Sequence, residues 1–150
     1  MALLNYTTEV SADRSVSQIL ALLVSHGARA IMTNYDAGQV CSISFQIETP
    51  QGLQGFRLPV DPDAVLKVMQ KQKRPWGKIP PRYVNQGQAI RIAWRILKDW
   101  VEAQMAIIET EMVRMEEVFL PYLLVDKHQT LFQKMVGTRF QLPQGSQESP

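Results

Sequence analysis

Ile90, Trp94, Leu97, Val101, Met105, Ile108, Met112, Met115 and Phe119 recur at steps of three and four along the second half of this chain. That spacing places them on one stripe of a helix opening at about Arg82 or Gln88. Unbroken, the seam would span ~45 Å at about 1.5 Å per residue. Pro121 ends it, and the pattern allows a break near Thr110. A helix this long is stabilised mainly by covering its apolar face. The cover must come from the rest of the chain or from a second copy.

The first half of the chain offers that cover. Ser11-Ala-Asp13 caps a helix over residues 13–26, with Val16, Ile19, Leu20, Leu23 and Val24 at helical spacing and Gly27 as the stop. Asn5–Val10 reads as a short strand. Ala28–Tyr35, Gln39–Glu48 and Leu53–Pro59 read as an antiparallel meander, joined by turns at Asp36-Ala-Gly38 and Thr49-Pro-Gln-Gly52. In the middle strand Cys41, Ile43, Phe45 and Ile47 share one face, so Cys41 reads as a small buried hydrophobe. Ser42, Ser44 and Gln46 share the other face, which is expected to stay open with Arg57 beside it.

Asp61-Pro62-Asp63 opens a second helix, with Asp61 as cap and Pro62 in the first turn. It runs to about Gln72 with Val65, Leu66 and Met69 inward. Pro75, Gly77, Pro80 and Pro81 make residues 73–81 a loop, and Leu131, Phe132 and Met135 suggest one last short helix. The expected fold is α+β. A small antiparallel sheet of three or four strands packs on a helix, followed by a second helix and a long C-terminal helical arm. Residues 1–140 form one domain, in parts 1–72, 73–81 and 82–140, and the polar stretch 141–150 reads as a disordered tail.

Charge is segregated along this frame. Lys67, Lys71, Lys73, Arg74, Lys78, Arg82, Arg91, Arg95 and Lys98 follow one another with no acid between them, and the next stretch, from Asp99 to Glu117, is mainly acidic. A net charge of +2 hides this dipole. Basic surface interleaved with aromatic rings suits a phosphate backbone and unpaired bases. An ordinary solvated face explains part of it. Arg95 and Asp99, like Lys98 and Glu102, are four residues apart on a helix, and Trp94 lies on the apolar seam. The loop is different: Lys71-Gln-Lys-Arg-Pro-Trp-Gly-Lys78 has four cations, no acid, and a tryptophan with few local residues to bury it.

Catalytic chemistry is sparse. There is no glycine-rich phosphate loop and no HExxH motif. His26 precedes the helix-ending Gly27 and reads as a cap, and His128 sits in a polar turn. Asp61 and Asp63 serve as cap and first-turn acid. An enzyme would have to be a metal nuclease assembled from scattered acids, so the expectation is a non-catalytic protein with no cofactor. The single cysteine excludes an internal disulfide framework. No apolar run approaches the ~20 residues of a membrane helix, and Met1–Leu4 is too short for a signal peptide. The expected location is cytoplasmic.

His26-Gly-Ala-Arg-Ala30, Ser42-Ile-Ser-Phe-Gln-Ile47, Phe56-Arg-Leu-Pro59, Ala93-Trp-Arg-Ile-Leu-Lys-Asp-Trp100 with Val101-Glu-Ala-Gln104, and Glu116-Glu-Val-Phe-Leu-Pro-Tyr122 span most of residues 6–124. Through them the chain resembles small, poorly characterised proteins of bacteriophages and prophages. The resemblance implies a replication or recombination setting in the host cytoplasm, where single-stranded DNA binding is a natural role, and it transfers no site residue. The expected ligand is single-stranded nucleic acid, bound with little sequence specificity. Trp76 and Tyr83 are the expected stacking groups. Lys71, Lys73, Arg74, Lys78, Arg82, Arg91 and Arg95 are the expected phosphate contacts, with Arg57 extending the track. The alternative is a protein-interaction module, a phage assembly or host-factor-binding protein. Its long helix would pair with a second copy, basic half beside acidic half.

Overall fold

The computed structural model describes residues 1–141. The tail expected at 141–150 lies outside the described residues except for Gln141. The class is α+β, with element order α1 (Ala12–Ser25), β1 (Ala30–Asp36), β2 (Gln39–Thr49), β3 (Gly52–Arg57), α2 (Pro62–Gln72), α3 (Gln86–Glu109), α4 (Met115–Val118) and α5 (Leu131–Gly137). Short 3₁₀ turns lie at Pro81–Tyr83 and Leu120–Tyr122.

The three strands form an antiparallel meander in sequence order. Ala37 and Gly38 both take positive φ, 49° and 80°, as a two-residue hairpin turn with the right twist requires. Two-residue alternation then slips once. Asn34 pairs with Ser42 but Tyr35 pairs with Val40, leaving Cys41 as the extra residue of a bulge. Val40 therefore packs inward, and Cys41 is exposed rather than buried as alternation predicts. Beyond the bulge Ile43, Phe45 and Ile47 keep the expected inward face. The outer edge of β3 is covered as well. Leu124 N donates to Gly55 O at 2.8 Å, next to a bridge between Phe56 and Leu123.

The strand expected at Asn5–Val10 does not form. Residues 4–7 are a turn, and Asn5 has φ 64°. The buried Gln88 side chain donates to both Tyr6 O and Thr8 O at 2.9 Å, while Asn5 Nδ2 donates to Asp99 at 3.0 Å. A glutamine of α3 thus satisfies backbone acceptors that a neighbouring strand would otherwise take.

The apolar seam is realised as the 24-residue α3 and, past a break, α4. Asn85 caps α3 by accepting from Gln88 N at 2.8 Å. Thr110 and Glu111, the latter at φ 64°, turn the chain back so that Met115 and Phe119 rejoin the core. Met112 falls in this turn and is 70% exposed, so it is not part of the buried seam.

α3 stands at the centre of the molecule instead of projecting from it. Trp94, Leu97, Val101 and Met105 pack with Val16, Ile19 and Leu23 of α1 and with Ile43, Phe45, Ile47 and Phe56 of the sheet. Cover of the sheet is therefore shared between α1 and α3, where α1 alone was expected. Ala89 and Ile92 form a second cluster with Met69 of α2 and with Ile79. At 3.6 residues per turn those two stripes lie nearly half a turn apart around α3, about 155°. Of the two covers open to the seam, the chain's own core supplies it for Trp94, Leu97, Val101 and Met105.

Phe119 closes the first cluster. It is fully buried, with ring centroids 5.4 Å from Phe45 and 5.6 Å from Trp100, both edge to face. Phe119→Ala removes the ring that holds α4 to the sheet and α3, and is expected to cost about 3–5 kcal/mol in chemical denaturation. Leu120→Ala, next in the chain but on a half-exposed side chain, should stay within ~0.5 kcal/mol of the parent. Equal losses would show that Phe119 does not have this role.

Candidate functional site

α2 stops at Gln72, and the chain then closes a tight loop that returns it to the core. Ile79 N donates to Gln72 O at 2.9 Å, and Arg74 N donates to Ile79 O at 3.0 Å. Lys73 O accepts from both Trp76 N and Gly77 N at 3.1 Å. Ile79 is the anchor, fully buried against Met69, Ala89 and Ile92, and Pro80 is buried beside it. Gly77 is required by space: a Cβ there would overlap the Gln72 backbone. The loop is therefore held at its base and braced across its middle.

Trp76 sits at the far end of this loop and is 91% exposed. A tryptophan offers about 150–250 Å² for burial. At roughly 25 cal/mol per Å², leaving it in water forgoes several kcal/mol. Lys71, Lys73, Arg74 and Lys78 flank it in the chain and are exposed. None of them belongs to any ion pair among the described residues. Tyr6, which sequence reasoning did not select, lines a hollow with Arg74, Pro75, Gly77 and Lys78. Its position depends on the N-terminal turn pinned by Gln88, a long-range contact with no local signal.

The other expected contacts fall outside this group or are engaged. Tyr83 is half-buried and meets Tyr6 edge to face at 5.6 Å, while the exposed Arg82 lies over its ring at 4.8 Å. Its faces are not free in the way those of Trp76 are, but Arg82 remains a cation at the loop's end. Arg95 has a largely buried side chain that donates to Gln18 Oε1 at 2.8 Å and to Ser15 Oγ at 3.4 Å, tying α3 to α1. Lys98 pairs with Glu102 and approaches Asp99 at 3.8 Å. Arg57 donates to the Lys127 and His128 carbonyls at 3.1 and 3.4 Å, so it braces the turn over β3. Arg91 is exposed, with one long contact to Gln88 Oε1 at 3.4 Å, and lies where α1 and α3 begin.

Residues with the chemistry of a metal or acid–base site have other partners. His26 Nδ1 donates to Leu22 O at 2.8 Å at the end of α1, the expected cap, and Nε2 lies 2.7 Å from Glu109 Oε1. Asp61 accepts from Asp63 N and Ala64 N as the cap of α2. Among the described residues no three His, Cys, Asp or Glu side chains gather as a metal site, and no helix is long and apolar enough to cross a membrane.

No protein-family model matches the chain, and neither a curated protein nor a solved structure matches it.

If the brace around Gly77 holds the loop, Gly77→Ala should force the Gln72 backbone to shift, at about 1–3 kcal/mol by the usual cost of overpacking. Denaturation of the parent and variant measures this. Tryptophan quenching by acrylamide should show one highly accessible residue in the parent, absent in Trp76→Phe. Loss of no accessible component in Trp76→Phe would place that ring against the body of the protein.

Proposed function

We propose that the protein is a non-catalytic nucleic-acid-binding protein that prefers single-stranded DNA and reads little sequence. The observation that carries this reading is Trp76, 91% exposed at the end of a braced loop and flanked in the chain by four exposed cations that form no ion pair among the described residues. A base stacks on an exposed indole at a gain of ~1–3 kcal/mol. Single strands present free base faces, whereas a duplex hides them. Lys71, Lys73, Arg74 and Lys78, with Arg82 at the loop's end, supply phosphate contacts that carry no sequence information. Arg95 and Arg57 act within the fold and are left out of the surface. The likeness to phage and prophage proteins suggests work on replicating or recombining DNA in the host cytoplasm.

The measurement is a titration of labelled oligonucleotides at several salt concentrations. With about four phosphates neutralised, log K against log salt should fall with a slope near −3 for a single strand, at roughly 0.7 per contact. Trp76→Ala should weaken single-strand binding about tenfold, within the stacking range. Reversing Lys73 and Arg74 to Glu should abolish it. Arg95→Gln, whose guanidinium faces α1, should bind like the parent. Absence of binding at low salt, or binding indifferent to salt, would sink the reading. If light scattering then showed a stable oligomer without DNA affinity, a protein-interaction role would take its place.

A further inference from the structure

α1 and α3 begin side by side, and their first turns enclose a hollow of about 310 Å³ with the β1–β2 turn. Ser11 accepts from Arg14 N and Asn85 from Gln88 N, which leaves the N–H groups of the first two residues of each helix without a side-chain cap. Arg91 reaches the same hollow from the next turn of α3. Its one contact within the chain is the long one to Gln88.

Trp94 lines the hollow too, and it is independent of the helix ends. The residue is only 1% exposed. Its indole N–H has no acceptor among the described residues, yet none of their side-chain polar atoms is both sealed from solvent and unpartnered. The part of Trp94 left open is therefore its N–H edge, and the space it opens to is this hollow. A buried donor in that position is satisfied only by what enters the hollow.

We infer that this hollow binds a phosphate monoester, as carried by a nucleotide or by a nucleic-acid 5′ end. The site lies apart from the Trp76 loop and does not rest on the loop's function. Each helix start contributes about half a positive charge. Arg91 adds a full charge and Asp13, also on the rim, subtracts one, so a net charge of about +1 faces the ligand. A tetrahedral phosphate accepts from several directions, which suits donors on two helices and two side chains. A planar carboxylate would pair with Arg91 alone. Val16, Val40 and Ile90 wall the hollow's apolar side and suit the organic part of the ester.

The three tryptophans provide separate indole N–H signals in a ¹⁵N-labelled full chain. The probes are inorganic phosphate, a nucleoside 5′-monophosphate, the same nucleoside unphosphorylated, and one oligonucleotide with either a 5′-phosphate or a 5′-hydroxyl. Expected is a saturable shift of the Trp94 indole and the Gly87 amide with every phosphate monoester and none with the nucleoside. Arg91→Gln should weaken that response roughly tenfold, the effect of one charge-assisted hydrogen bond, and Asp13→Asn should strengthen it. Tighter binding of the 5′-phosphorylated oligonucleotide than of the free nucleotide assigns the site to strand ends, and the reverse assigns it to free nucleotides. A Trp94 signal that stays still with all phosphates, or moves equally with the bare nucleoside, overturns the site. Trp76 reports the loop in the same spectra through the 5′-hydroxyl oligonucleotide, so failure of either surface is seen separately.

Discussion

The packing of α3 on two of its faces is the constraint on which the rest of the molecule depends. One stripe, Trp94 to Met105, is covered by α1 and the sheet; the other, Ala89 and Ile92, is covered by α2 and Ile79. A helix with one apolar stripe can lie on a surface, but a helix with two must be enclosed. The polar side is used as well, since Gln88 pins the N-terminal turn and Arg95 holds α1. The β-sheet, the second helix and the basic loop take their places from this one element. The loop is included because its anchor, Ile79, sits in the second cluster.

The local parts of this fold are legible in the sequence, and the long-range parts are not. Capping residues Ser11 and Asp61 sit where side-chain oxygens meet orphan N–H groups, so those two helix starts follow from residue type, whereas the Asn85 cap of α3 was not expected. Glycine and proline mark the turns for steric reasons. The reading of Cys41 as buried and of Asn5–Val10 as a strand both depend on contacts far away in sequence. A one-residue bulge reverses every inward–outward assignment on its far side and leaves no trace in the alternation itself. A glutamine eighty residues downstream supplies the donors for the N-terminal turn. The second stripe of α3 was hidden for a related reason: Ala89 and Ile92 are too few to register beside the stronger seam.

The basic run separates on the same physical ground. Arg95 and Lys98 stand on an ordered helix with partners at i+4 and, for Arg95, on α1, so their charges have local work, while Arg91 has only its long contact to Gln88. The charges of the loop stand where the backbone satisfies its own hydrogen bonds and the side chains form no ion pair among the described residues. Composition alone counts both sets alike. What distinguishes them is whether an acceptor lies within reach, and that depends on packing. The proposed surface is shorter than the run for this reason.

On the proposed function, the braced loop would divide the work of binding between two kinds of side chain. The indole has only two rotatable bonds, and its backbone is already fixed, so ordering it against a base loses little entropy. A lysine's attraction for phosphate, by contrast, does not require a single geometry. Such a surface gains speed and tolerance of sequence, but its strength is bounded. One stacking group worth ~1–3 kcal/mol, with a few salt-sensitive charges, is small beside the roughly 8 kcal/mol that corresponds to micromolar affinity. Firm retention of a strand would then require several such loops acting on one molecule of nucleic acid, each raising the local concentration for the next.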